Sequence, residues 1–322
     1  MLAIRTESLT KDFSVGFWRP QPYRALDGLN LEVRQGEVFG FLGPNGAGKT
    51  TTLKLLMQLI FPTSGCAEIL GRPAGDVAVK RRIGYLPESP YFYDYLTAEE
   101  LLHYFAKLFG YDKAECGRRV SSLLDEVGIG GERRLQLRKF SKGMIQRVGI
   151  GQALLNDPEV VFLDEPMSGL DPLGRRQVRD LILKLRDRGC TVFFSSHVLS
   201  DAEALCSRVG ILAGGKLVAS GRIADLQAFD VHGWDLIVSG VSGALLDRWR
   251  SRIERVTPLG EQRYSLELPL QPAPELLLAE LIAGGARLVS LNPMRDTLED
   301  FFVKKVGEQV PSRFVAKTKA AS

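Results

Sequence analysis

Nowhere in the 322 residues is there a dense run of Lys and Arg, and the net charge is only +4. That argues against the basic footprint of a nucleic-acid binder. The four cysteines, Cys66, Cys116, Cys190 and Cys206, are scattered and form no Cys-x-x-Cys pair. Such spacing suits neither a zinc site nor a disulfide framework, and reads as reduced thiols in a cytosolic protein. No stretch approaches the roughly 18 consecutive apolar residues needed to span a bilayer. The start, Met1 to Glu7, lacks the apolar core and small-residue cleavage site of a signal peptide. If the chain works at a membrane, a partner must do the spanning. No internal repeat is found. What remains is an ordinary globular composition, 45% hydrophobic and 25% charged. The length suggests two domains.

The pattern along the chain is of strands alternating with helices. Leu2 to Leu9 and Leu26 to Val33 alternate apolar and polar residues, as half-buried strands do. Glu37 to Leu42 is a short apolar run ending at a glycine loop, and Thr51 to Ile60 has helical spacing. Residues from about 96 to 153 read as helical. Val160 to Leu163 is a buried strand, Gly174 to Arg188 an amphipathic helix and Thr191 to Phe194 another strand. A helix follows from Leu199 to Cys206. Ile211-Leu212 and Leu217-Val218 flank Gly214-Gly215, a hairpin signal. This order predicts an α/β core with a helical insert. From about Phe229 the order becomes β-α-β-β-α-β, that of a ferredoxin-like domain. It runs from Trp234 to Leu291, with its second strand near Val256. Thr297 to Val306 reads as a final helix, and residues 307–322, small, polar and basic, as a disordered tail.

Two segments carry chemistry on their own residues. Gly43-Pro44-Asn45-Gly46-Ala47-Gly48-Lys49-Thr50, continued by Thr51, fits the phosphate-binding pattern of glycine, any four residues, glycine, lysine and Ser/Thr. Its glycines let backbone N–H groups close on phosphate oxygens, Lys49 supplies a point charge, and Thr50 offers a hydroxyl to magnesium. The helix that follows turns its positive end to the anion. A flexible glycine turn is the plain alternative, but a strand precedes this loop and a helix follows it. The second segment is Val160-Val161-Phe162-Leu163-Asp164-Glu165-Pro166, a buried strand with two carboxylates at its C-terminal end. Ligands of open α/β sheets bind at such ends. Asp164 suits a magnesium ion, and Glu165 a general base that polarises water toward a γ-phosphate.

Further motifs give these segments a family resemblance. Phe140-Ser141-Lys142-Gly143-Met144-Ile145-Gln146-Arg147 resembles the signature segment of ABC ATPases, in a form common among exporters with separate permeases. Ser168-Gly169-Leu170-Asp171-Pro172 resembles the family's D-loop, and Ser195-Ser196-His197 its switch histidine. The resemblance covers residues 1 to about 228 and implies a P-loop nucleotide-binding domain with an antiparallel β subdomain and a helical insert. Residues 229–306 would then form an accessory domain of the kind thought to support dimerisation or regulation, and 297–302 resemble the close of many exporter ATPases.

The resemblance also implies a mechanism. Two copies would sandwich two ATP molecules head to tail. Ser141, Lys142, Gly143 and Met144 of one copy would face the γ-phosphate on the other copy's loop, and Asp171 would act across the same interface. His197 would contact the γ-phosphate and hold the attack geometry. Phe13 sits where the family stacks adenine, with Trp18 and Tyr23 as possible substitutes. Glu88, after Ile83-Gly84-Tyr85-Leu86-Pro87, replaces the family's usual glutamine, which senses magnesium and links to the membrane partner. A carboxylate there still binds magnesium but adds negative charge beside the triphosphate. Tyr91-Phe92-Tyr93-Asp94-Tyr95 lies in the region that receives a permease helix, although packing beneath the helical insert serves as well for any one ring.

These readings lead to an ATP-hydrolysing subunit that powers export through a separate permease, peripheral on the inner face of the cell membrane, with ATP and magnesium as cofactors. A soluble ATPase acting on ribosomes or nucleic acid is the alternative. This chain has one nucleotide domain where such translation factors have two, and none of the long heptad coiled coils of DNA-repair relatives. A phosphotransferase has no use for the signature segment. His232, Trp234 and Trp249 read as structural.

Overall fold

A computed structural model describes residues 1–16, 20–226, 232–241, 243–260, 262–271, 274–294 and 302. Strands β1 (Leu2–Val15) and β2 (Gln21–Arg34) open the chain as a long antiparallel pair, followed by β3 (Val38–Leu42) and helix α1 (Lys49–Leu56). Next come β4 (Ser64–Ile69), β5 (Arg72–Pro73), α2 (Val77–Lys80) and β6 (Ile83–Leu86). The helical insert is three helices, α3 (Ala98–Leu108), α4 (Lys113–Glu126) and α5 (Lys142–Ala153). The core resumes with β7 (Val160–Asp164), α6 (Pro172–Asp187), β8 (Thr191–Ser196), α7 (Leu199–Leu205), the hairpin β9 (Arg208–Ala213) and β10 (Lys216–Arg222), and the short α8 (Ile223–Leu226).

Two sheets organise this part. One is antiparallel, in the order β2-β1-β4-β5. The other has six strands in the order β10-β9-β3-β8-β7-β6, parallel except for the edge strand β10. Strands β3, β7 and β8 are buried at every residue, the pattern expected of parallel strands covered on both faces. Phe39, Phe41 and Phe162 pack on Phe193 with ring centroids 5.7, 5.3 and 5.8 Å apart. The order sets β3, β8 and β7 side by side, so the loops leaving their C-terminal ends converge.

Strands β1 and β2 each extend beyond the alternating stretch visible in the sequence. The reason is irregular pairing: register shifts between Thr6 and Leu9, Leu9 and Lys11, and Lys11 and Asp12 break the period of two while the ladder continues. Helix starts follow local chemistry. Thr97 and Glu100 form a reciprocal capping box on α3. Ser141 caps α5, and Asp171 caps α6 with Pro172 behind it.

The chain divides into two compact units after Ile223. The second contains β11 (Gly233–Ser239), α9 (Gly243–Trp249), β12 (Arg255–Gly260), β13 (Arg263–Pro269), α10 (Pro274–Ala283) and β14 (Arg287–Met294). Its antiparallel sheet runs β12-β13-β11-β14, with the ferredoxin-like succession of elements. Leu236, Val238, Trp249, Leu266, Leu268 and Leu281 form its separate core. The final helix expected over 297–306 and the tail after it lie outside the described residues, apart from Phe302.

Candidate functional site

The glycine loop between β3 and α1 passes close under neighbouring backbone. Gly48 has φ +109°, and a Cβ there would stand 2.5 Å from the Ala25 carbonyl oxygen. A Cβ on Gly43 would stand 2.4 Å from the Leu212 carbonyl oxygen. Any larger residue at either point would force the loop off the sheet. Lys49 begins α1 and is buried. Its Nζ donates to the Gly43 carbonyl at 2.7 Å and the Pro44 carbonyl at 3.3 Å. The same ammonium lies 3.2 Å from Glu165 Oε1 as an ion pair, without hydrogen-bond alignment.

Asp164 and Glu165 stand at the C-terminal end of β7, both buried. Asp164 Oδ1 accepts from the Ser195 hydroxyl at 2.6 Å and from the Thr50 hydroxyl at 3.2 Å. Burial pushes the Asp164 carboxyl above its ordinary pKa, and these two hydrogen bonds pull it back. Asp164 Oδ2 is buried with no hydrogen-bond partner. An orphaned carboxylate oxygen beside a threonine hydroxyl fits a hard cation such as magnesium. Among the described residues no three His, Cys, Asp or Glu side chains gather to hold a metal unaided. That suits an ion that keeps its waters and arrives on phosphate oxygens. Glu165 Oε2 lies 2.8 Å from His197 Nδ1, and His197 follows directly on β8. Lys49, Glu165 and His197 therefore form a continuous chain of polar contacts.

A cleft of about 320 Å³ opens over the loop. Asn45, Gly46, Gly48, Lys49, Thr50 and Thr51 line its floor, with Glu165 and Glu88 beside them. Phe13 and Tyr23 form its aromatic wall. They are cross-strand partners in the β1–β2 pair, so the two rings come to one place by register. The Lys11 ammonium sits 5.1 Å from the Phe13 ring centroid. Trp18 lies outside the described residues.

The signature segment and the D-loop are not part of this cleft. Ser141, Lys142 and Asp171 are exposed. Ser141 Oγ accepts from Met144 N–H at 3.3 Å, and Asp171 Oδ1 from Gly174 N–H at 2.8 Å. The two segments adjoin each other. A Cβ on Gly169 would meet Lys142, and one on Gly143 would lie 3.7 Å from Leu170. One chain thus carries two groups of predicted site residues, and a single cleft holds only the first.

Sequence reasoning missed the role of Ser195 in this network. The available signal was a pair of serines closing a buried strand with an apolar middle, but only the pairing of Ser195 with Asp164 in the sheet reveals its partner.

The ABC transporter family model matches residues 26–168. The chain is 44% identical to the ABC transporter ATP-binding protein sll0415 of Synechocystis, over 95% of this chain and 85% of that protein. It is 36% identical to the bacitracin transport ATP-binding protein BcrA of Bacillus licheniformis, over 94% of this chain and 97% of that one. Among solved structures, a dimeric post-hydrolysis state of the ATP-binding cassette MJ0796, bound to ADP and Pi, superposes with a TM-score of 0.62. The identity there is 25%, over 68% of this chain and 98% of the cassette.

Proposed function

This chain belongs to the ABC transporter ATP-binding proteins, and from that premise we propose that it drives export through a separate transmembrane permease, working as a head-to-tail dimer that sandwiches two ATP molecules. The observation that carries this reading is the separation of the site residues. The cleft with Lys49 and Glu165 lacks Ser141, Gly143 and Asp171, which lie together elsewhere on the surface of the same unit. A second copy would bring them to the γ-phosphate, at the N-terminal end of α5. The dimer of the MJ0796 cassette supports such pairing by similarity.

In this mechanism the backbone of residues 43–51 cradles the phosphates. Lys49 exchanges its carbonyl partners for phosphate oxygens, which releases Glu165 from the ion pair. Phe13 and Tyr23 receive the adenine ring. Thr50 and Asp164 would hold magnesium, with Glu88 at the edge of the cleft. When bound, that ion neutralises charge on the β- and γ-phosphate oxygens. Glu165 accepts the proton of the attacking water, and His197, 2.8 Å from its carboxylate, fixes its orientation.

A role in transport is supported by the likeness to a bacitracin transport protein over nearly the full length, and the outward direction is the proposal's own. A separate permease is supported by the likeness, over most of their length, to relatives named as transporter ATP-binding proteins; among the described residues no helix is long and apolar enough to cross a membrane. The chain would then sit in the cytoplasm, on the inner face of the membrane. Tyr91, Tyr93 and Tyr95 are exposed large aromatics that suit a permease contact. The test is capture of the tagged chain from its native membranes. The expected result is an integral membrane protein that raises the ATPase rate and is lost when Tyr91 and Tyr93 are both changed to alanine. Recovery of ribosomes or nucleic acid instead would favour the alternative of a soluble ATPase acting on them.

A further inference from the structure

We propose that Ser195 is a positioning residue for hydrolysis, its single hydroxyl holding Asp164 and Glu165 in their working arrangement. The inference rests on reading Glu165 as the general base. Strands β7 and β8 pair in parallel with Asp164 opposite Ser195. This register brings the Ser195 hydroxyl to the end of β7, where both carboxylates begin. Ser195 is fully buried, so no solvent competes for its hydrogen bonds. Its Oγ–H donates to Asp164 Oδ1 at 2.6 Å. Its Oγ accepts from the Glu165 backbone N–H at 3.0 Å. One proton and one lone pair are thereby committed to two successive residues.

The second bond bears on an unusual backbone. Glu165 has φ +49°, in the left-handed region that non-glycine residues seldom enter. Such a conformation persists where its surroundings over-determine it. The N–H of Glu165 is buried with its residue, and Ser195 Oγ is its acceptor. The strained turn at Glu165 directs its side chain to Lys49 and His197 rather than onward along the strand. The first bond occupies Oδ1 of Asp164, which it shares with Thr50, while Oδ2 has no partner. Ser195 therefore leaves the one oxygen open and fixes the other. An apolar residue would serve a buried strand of this composition equally well for packing, as Val192, Phe193 and Phe194 do. It could not satisfy Glu165 N–H, and the left-handed turn would lose its restraint.

The experiment uses the full chain in five forms: unsubstituted, Ser195→Ala, Ser195→Thr, Glu165→Gln and the Ser195→Ala/Glu165→Gln double variant. Steady-state ATP hydrolysis, ATP binding by equilibrium fluorescence and thermal melting are measured on each. In Ser195→Ala, kcat should fall about 10- to 100-fold, the scale of loss when a reacting group is displaced by about 1 Å. ATP affinity should stay within about threefold, because the loop and the aromatic wall are untouched. In the double variant, the loss beyond that of Glu165→Gln should be smaller than the loss Ser195→Ala causes alone, since part of the action of Ser195 passes through the group already removed. Ser195→Thr, which keeps the hydroxyl, should recover most of the rate if it melts at the unsubstituted temperature. A Ser195→Ala chain with full kcat, or losses that multiply in the double variant, would overturn the proposal. So would a fall in kcat accompanied by an equal fall in ATP affinity and melting temperature, which marks a structural role alone. Unchanged hydrolysis in Glu165→Gln would instead remove the reading of Glu165 on which the inference stands.

Discussion

Glu88 borders the cleft where the family usually has glutamine, and it adds a second carboxylate to the cleft lining beside Glu165. A carboxylate and an amide are nearly the same shape and both accept a hydrogen bond from water. Glu88→Gln should therefore keep the ATPase within about threefold of the unsubstituted rate. Hydrolysis at background in that variant would show that the charge itself is required. The aromatic wall makes a second claim at this scale. Phe13 and Tyr23 face each other across the β1–β2 pair, and Lys11 lies over the Phe13 ring. Phe13→Ala should raise the KM for ATP about tenfold with kcat little changed, because a stacked base contributes about 1–3 kcal/mol. Tyr23→Ala, removing a more exposed ring, should raise it less. An unaltered KM in both, measured by steady-state kinetics, would place the adenine elsewhere. Lys49, Thr50, Asp164, Glu165 and His197 were legible because each sits inside a motif: the glycine loop, the carboxylate pair and the histidine after β8. Ser195 was not legible, since its role depends on a hydrogen bond between strands about 30 residues apart, set by register.

Among the elements, the strongly patterned ones were readable and the irregular ones were not. Buried runs such as Val160–Asp164 announce themselves by composition. The outer halves of β1 and β2 do not, because register shifts scramble the alternation. Strand β6 has only four residues and one of them is Gly84. That glycine is required by packing: a Cβ would lie 2.0 Å from the Ala153 carbonyl oxygen at the end of α5. Gly84→Ala must push β6 away from the helix that carries the signature segment. Overpacking of this kind costs about 1–3 kcal/mol, so the melting temperature should fall by about 3–9 °C in a unit of this size. Calorimetry of the full chain would measure it, and an unchanged transition would show that the contact relaxes freely.

Over the whole molecule, the chain comprises two compact units with separate cores. All the cleft residues fall between Phe13 and Glu165, within the first unit. The β-α-β-β-α-β order of the second was legible from its spacing, but no pair of catalytic residues or ligand cluster in its sequence points to a chemistry. What most distinguishes the molecule is that its site residues are divided. Lys49 lies in the cleft, while Ser141 caps α5 at an exposed position outside it. Two defective chains should therefore repair each other. Lys49→Ala spoils the cleft and Ser141→Arg spoils the cap, so each should be inactive alone. When the two are mixed in equal amounts before ATP is added, half of the dimers are mixed and each has one intact site. ATP hydrolysis by the mixture should recover to about a quarter of the unsubstituted rate. A mixture that stays at the background of its two parents would contradict a site shared between copies.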